Sequence, residues 1–322
     1  MNPQDLPRIA PAQKLEHGIW CIDTLQDRPQ MACCYLLQRN GELAFIEAGT
    51  SHGVPRLLAL LENLGLSRER VRYVIPTHVH LDHAGGVGTL MRELPNAQLV
   101  AHPRGARHLI DPSKLIAGAQ AVYGEAELAR MYGEIAPVPE ARVIVAQDDL
   151  KLDLGGAALQ FIDTPGHARH HFSVWDEVSQ GFFTGDTFGL SYREFDTAAG
   201  PFLMPTSSPV QFEPDAWRKT LDRYLSFAPQ LMYLTHYNAV CNVAPLAQWL
   251  RRGIGDYERI ARELAGAPQR HERLLDAMYA YTYAELDAHG CKLPRETQRA
   301  LLAMDMELNA QGLGIWLDQQ AA

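Results

Sequence analysis

The chain is short of three things. Its five cysteines are odd in number and form no Cys-x-x-Cys pair, so neither a disulfide framework nor a thiolate zinc site is legible. No window approaches the roughly eighteen uninterrupted apolar residues of a membrane span, and Met1-Asn2-Pro3-Gln4-Asp5 lacks the basic-then-apolar layout of a secretory signal. Basic charge is also scarce. With 29 Lys and Arg against 38 Asp and Glu, the formal charge is −9. That argues against broad nucleic-acid or anionic-membrane binding, since both need a basic footprint. The expectation is a cytoplasmic protein with a small-molecule substrate, no nucleic-acid or membrane partner, and buried free thiols.

What is present is an ordinary globular composition, 47% hydrophobic and 21% charged over 322 residues. That is enough apolar material for a full core, and at roughly 150 residues per domain the length suggests about two domains. Residues 18–23, 31–38 and 42–47 read as strands, with Asn40-Gly41 a hairpin turn before the third. Cys33 and Cys34, as neighbours on a strand, are expected on opposite faces. Residues 53–64 place Leu57, Leu58, Leu60, Leu61 and Leu64 on one helical stripe. A strand at 72–76, a helix at 86–94 and a strand at 97–101 follow. Residues 104–134 have helical spacing broken at Asp111-Pro112 and Gly124.

A second strand block covers 141–146, 150–154, 158–163, 172–175 and 181–184, then a long loop, a helix at 214–227 and a last strand at 231–235. From Val243 onward only helices are expected, at 244–264, 270–286 and 297–308. The predicted organisation is a catalytic domain at 1–242 and a helical extension at 243–322. Met278, Tyr279, Tyr281 and Tyr283 in that extension are read as packing onto the parent domain, with a homodimer as the alternative.

The chemistry concentrates in Thr77-His78-Val79-His80-Leu81-Asp82-His83. His78 and His80 share a face of extended chain, and Asp82 and His83 follow as the chain turns towards a helix. Imidazole nitrogen and carboxylate oxygen are the donors that Zn²⁺ prefers and that Fe and Mn accept. Further candidates each follow an expected strand: His167 in Asp163-Thr164-Pro165-Gly166-His167, Asp186 after Thr184-Gly185, and His236 after Thr235. Strand C-terminal ends are where layered α/β folds gather their sites.

The His-x-His-x-Asp-His run at 78–83, with His167, Asp186 and His236, resembles the metallo-β-lactamase-fold hydrolase superfamily over about residues 15–240. The resemblance implies an α/β fold, a four-layer αββα sandwich with the site at one edge of its sheets. It implies two divalent metal ions, Zn²⁺ foremost with Fe or Mn as alternatives. His78, His80 and His167 would hold one ion, Asp82, His83 and His236 the other, and Asp186 would bridge them. The implied reaction is hydrolysis of a small ester, lactone or thioester by a metal-bridging hydroxide, with Asp82 steering attack and taking a proton. No serine or cysteine nucleophile is required, and the expectation is that no Gly-x-Ser-x-Gly elbow is present. A non-catalytic metal-binding sensor and a di-iron redox enzyme are the alternatives on the same fold.

Glu47 stands where the family usually has Asp, and is expected to orient ligands through hydrogen bonds. His171 is open between a loop contact and a functional one, while His170, His102 and His108 are read as structural or surface residues. Tyr192, Phe195, Phe202 and Met204, with Tyr123, Met131 and Tyr132, are read first as helix and loop core, with the lining of an apolar pocket as the alternative.

Overall fold

The computed structural model describes residues 12–207 and 210–321, and at 122 and 123 the backbone alone. Residues 1–5 and the Tyr123 side chain, both used in the sequence reading, therefore lie outside the described residues. Two mixed sheets form the centre. The first contains seven strands in chain order, β1 (Ala12–Lys14), β2 (Ile19–Asp23), β3 (Cys33–Arg39), β4 (Glu42–Ile46), β5 (Val71–Ile75), β6 (Gln98–Ala101) and β7 (Val143–Val145). Asn40 and Gly41, at φ 41° and 90°, supply the two left-handed residues of the tight β3–β4 turn. From β4 onward the strands pair in parallel, so each link must be a crossover. These crossovers carry α1 (Val54–Asn63), α2 (Leu81–Ala84), α3 (Val87–Glu93), and α4 (Ala106–Ile110), α5 (Ser113–Tyr123) and α6 (Glu125–Tyr132).

The second sheet runs in the order β13 (Asn238–Val240), β12 (Leu231–Leu234), β11 (Gly181–Gly185), β10 (Phe172–Asp176), β9 (Ala157–Asp163), β8 (Lys151–Leu154). Strand alternation divides the apolar residues into layers. Cys33, Tyr35 and Leu37 point between the sheets at Phe161, Phe172 and Phe183, while Cys34 and Leu36 point outward at the leucines of α1 and at Leu90 of α3. Every residue of β10 and β11 is buried, because the far face of this sheet is also covered. Trp217, Leu221 and Tyr224 of α7 (Pro214–Ser226) lie there, with α8 (Val243–Glu263), α9 (Arg270–His289) and α10 (Arg295–Ala321). The result is the αββα sandwich, with helices α8–α10 following the last strand and sharing its outer core. Met278 and Tyr279 are buried in that core, and Tyr281 and Tyr283 pack against it.

Several details correct the sequence reading. Residues 231–235 are not the last strand, since β13 follows; its three residues are too few to show an alternating pattern. The final helix continues to Ala321 rather than stopping near 308. Gly312 and Gly314 suggest a stop, each costing about 1 kcal/mol in a helix, but Leu313 and Trp316 dock into the core and carry the helix onward. Cys241 is exposed, whereas Cys21, Cys33, Cys34 and Cys291 are buried. Among the described residues no helix is long and apolar enough to cross a membrane.

Candidate metal centre

The site forms where the ends of β5, β9, β11 and β12 meet. The His78 to His83 segment leaves β5 and enters α2, which puts four ionisable side chains within one turn and a half of chain. His78 Nε2 lies 2.8 Å from His80 Nδ1, which is 3.1 Å from His167 Nε2. Asp186 Oδ2 is 3.4 Å from His167 Nε2. On the other side, Asp82 Oδ2 lies 3.4 Å from His83 Nε2 and 3.3 Å from His236 Nε2. Asp186 Oδ1 reaches the same two imidazoles at 3.3 and 3.7 Å. All seven sequence-predicted ligands therefore converge, as His78, His80, His167 and Asp186 in one group and Asp82, His83 and His236 in the next.

A tetrahedral ion bonded at about 2.0–2.1 Å spaces its donors roughly 3.3 Å apart, and these separations fit that figure. His83 Nε2 and Asp186 Oδ1 are buried without a hydrogen-bond partner. Orphaned polar atoms of this kind cost free energy unless something else engages them. The donor set, its spacing and its unsatisfied atoms all fit cations.

The remote ring nitrogens are fixed by partners that leave the facing nitrogens free. His78 Nδ1 meets Thr77 Oγ1 at 3.1 Å, His167 Nδ1 donates to the Thr206 carbonyl at 3.2 Å, and His236 Nδ1 donates to the Met31 carbonyl at 2.8 Å. His83 Nδ1 donates to Glu47 Oε1 at 3.0 Å. Such contacts set tautomer and ring orientation. Glu47 does more than hold one ring: its carboxylate also accepts from the Thr77 N–H at 3.0 Å and from the hydroxyls of Thr77 at 2.6 Å and Thr235 at 3.0 Å. It thereby ties β5 of one sheet to β12 of the other. Glu47→Gln is expected to lower metal affinity and turnover about 10–100-fold while leaving the fold intact; wild-type metal retention under chelator competition would contradict that role.

His171 acts from behind the site. Its Nε2 accepts the Asp186 N–H at 3.3 Å and its Nδ1 meets Thr164 Oγ1 at 2.9 Å. His171 thus makes both a contact within its own loop and a contact to the backbone of Asp186. His170 stacks on His78 with ring centroids 6.1 Å apart, and burial and the neighbouring His167 push it down to about 3. His102 accepts the Arg104 N–H and pairs with Asp163 at 2.9 Å, a structural contact, and His108 is half-buried near Arg107.

Electrostatics divides the cluster. Burial and the surrounding imidazoles push His78 and His80 far below the ordinary range. Burial would raise Asp186, yet His83, His167 and His236 outweigh it and hold the carboxyl well below the usual carboxylate range. Burial likewise opposes protonation of His236, but Asp186 and Asp82 push it up to about 9. An imidazole must be neutral to bind a metal, so a cation entering below pH 9 displaces this proton. Metal affinity is therefore expected to rise by up to about tenfold per pH unit for each displaced proton, flattening above pH 9. Competition titrations between pH 6 and 9 check this, and a flat profile would contradict it.

The sequence profile of the family described as Metallo-beta-lactamase superfamily matches residues 28–236. The chain belongs to this superfamily. It is 27% identical over 212 residues to the metallo-beta-lactamase fold-containing protein ST1585 of Sulfurisphaera tokodaii, spanning 65% of this chain and 73% of that one. The crystal structure of ST1585 from Sulfolobus tokodaii superposes with a TM-score of 0.62 at 21% identity, covering 92% of this chain and 98% of that one. An atrochrysone carboxyl ACP thioesterase of Aspergillus fumigatus is 29% identical over 48% of this chain and 38% of its own length. A hydroxyacylglutathione hydrolase of Hahella chejuensis is 25% identical over 40% of this chain, likewise 38% of its own. These last matches span less than half of either protein. The superfamily thus includes hydrolases, and this member carries a His/Asp cluster able to bind metal ions.

Of the two readings of the aromatic loop, core describes most of its residues. Phe195, Phe202 and Met204 are buried in the core beneath α8–α10, where their long loop is pinned by the Leu190–Met204 bridge. Tyr132 packs with Leu81 and Leu128. Tyr192 alone of the first four reaches the site, its ring edge-on to His236 at 6.4 Å. Its hydroxyl donates to Asp305 of α10 at 3.1 Å, and burial pushes that carboxyl up to about 6.

Other contributors were missed in the sequence. Asn309 of α10 accepts the Ser207 N–H at 2.7 Å, one residue from the Thr206 carbonyl that holds His167. The final helix thus supports a ligand loop about a hundred residues earlier in the chain. The expected absence of a Gly-x-Ser-x-Gly run is wrong at the level of sequence, since Gly49-Thr50-Ser51-His52-Gly53 spells it between β4 and α1. Its geometry is not that of a nucleophile: the Ser51 hydroxyl bonds Thr89 Oγ1 and the Glu134 carbonyl, and His52 faces the Ala129 carbonyl.

Proposed function

We propose that this chain is a dinuclear metal-dependent hydrolase acting on a small ester, lactone or thioester, with zinc as the ion. The observation that carries the reading is the split of Asp186, with Oδ2 towards His167 and Oδ1 towards His83 and His236. One carboxylate facing two histidine groups is the arrangement a bridging ligand requires. His78, His80 and His167 would hold one ion and Asp82, His83 and His236 the other. Two such ions polarise a carbonyl and lower the pKa of a water so that it attacks near neutral pH.

The chain's own groups do the rest. Hydrolysis joins the water oxygen to the acyl carbon and breaks the C–O or C–S bond. Asp82 receives the water proton and returns it to the leaving alkoxide or thiolate. It suits this part because its side chain is 25% exposed, against 7% for Asp186, and so faces the open side where substrate arrives. Burial would raise its affinity for protons, but His83 and His236 outweigh burial and hold it ionised. Relatives named as a thioesterase and a hydroxyacylglutathione hydrolase support an acyl substrate. A panel of thioesters, lactones, nitrocefin and phosphodiesters tests the reading. Chelator-sensitive turnover of acyl compounds is expected, and exclusive turnover of phosphodiesters would overturn it.

A further inference from the structure

A cavity of about 110 Å³ lies between residues 24–29, the start of α1, and Arg130 and Met131 of α6. Asp27 on its wall feels the Asp82 carboxylate, and Arg28 lies 4.4 Å over the ring of Tyr192, which in turn meets His236.

Arg56 of α1 lines this cavity and is only 7% exposed. Its Nη1 donates to the His52 carbonyl at 3.2 Å, while its Nε is buried with no partner. Among the described residues it forms no ion pair. Asp23 is the carboxylate whose charge it feels, but the two oxygens of Asp23 accept the Leu25 and Gln30 N–H groups at 2.9 Å each and so fold the loop instead. Arg28 differs, being paired with Glu194 at 2.5 Å.

Removing a guanidinium from water without a counter-ion opposes folding. On an amphipathic helix, an exposed arginine or a leucine would avoid that cost. The edge bearing Nε is one that grips a carboxylate through two parallel N–H groups. Arg130 also lines the cavity but is paired with Glu127, as Arg28 is with Glu194, which leaves Arg56 as the lining arginine without an ion pair among the described residues.

We propose that this cavity is a carboxylate subsite, in which Arg56 binds the terminal carboxylate of an acyl group whose ester or thioester end lies at the Asp82 side of the metal centre. The substrate class is then a half-ester or half-thioester of a dicarboxylic acid. This deepens the hydrolase reading and rests on it.

The experiment compares S-glutaryl- with S-pentanoyl-N-acetylcysteamine on the metal-loaded enzyme, and separately titrates glutarate by calorimetry into wild type, Arg56→Met and Arg56→Lys. Wild type is expected to favour the glutaryl thioester at least tenfold in kcat/KM, chiefly through KM. In Arg56→Met that preference collapses towards parity and glutarate binds at least tenfold more weakly; Arg56→Lys keeps part of both. Pentanoyl turnover with no glutaryl preference in wild type overturns the subsite and leaves the hydrolase standing. Arg56-dependent glutarate binding without turnover of either thioester supports the subsite and sinks the hydrolase reading. Equal glutarate affinity in wild type and Arg56→Met overturns the subsite. If Arg56→Met does not fold, the wild-type preference and the lysine variant decide.

Discussion

Asp186→Asn is expected to reduce bound metal from about two ions per chain to one or fewer, and turnover by more than a hundredfold. That exceeds the 10–100-fold typical of groups that merely orient ligands. The substitution preserves shape and removes one oxygen donor and the charge. Its effect is large because both oxygens of Asp186 face imidazoles, at 3.3 to 3.7 Å, so neither can be lost without opening one of the two groups. The carboxylate also supplies the attraction that keeps His83 and His236 protonated when no cation is present. Without it their titration should move down, giving a second readout by NMR of the imidazoles in the metal-free variant. Full metal content with wild-type turnover would remove Asp186 from its bridging position.

A methyl group next door is expected to be nearly as damaging. Gly185 has φ 49°, in the left-handed region where side chains are disfavoured, and a Cβ there would collide with Thr77 Oγ1 and His171 Nε2. Both atoms are already committed, Thr77 to Glu47 and His171 to the Asp186 N–H. Gly185→Ala must therefore displace Asp186 or break the contacts behind it, at a cost of roughly 3 kcal/mol in stability together with loss of tight metal binding. Gly290→Ala is the matched control. Its φ is 86°, but nothing lies within 4 Å of the added carbon, so it should cost about 1 kcal/mol and leave metal binding intact. Equal behaviour of the two variants in denaturant titrations and metal retention would show that the contacts around Gly185 are unimportant.

The layered core was largely legible because alternation and helical spacing are local signals. Cys33 and Cys34 facing different layers follow from pleating alone, and the breaks at Asp111-Pro112 and Gly124 do separate α4, α5 and α6. The ligand run at 78–83 was legible for the same reason, since its residues are neighbours in the chain. Asp305 and Asn309 were not. A polar residue on an amphipathic helix reads as part of a solvated face, and only the docking of α10 against the 191–207 loop reveals that both are buried. Arg56 was hidden in the same way, as a charged residue within the leucine stripe of α1. The aromatic residues from Phe195 to Phe202 were open in the sequence between core and pocket lining. Proximity in sequence to Asp186 suggested a pocket lining, whereas the loop folds them under the C-terminal helices.

The central claim is that two cations sit at His78, His80, His167 and Asp186, and at Asp82, His83, His236 and Asp186. Elemental mass spectrometry of the purified protein, before and after chelation and reconstitution, tests it most directly. Close to two zinc ions per chain are expected, with thioester or lactone hydrolysis lost on chelation and restored with the second equivalent. One tightly bound ion giving full turnover, or no metal after reconstitution, would contradict it.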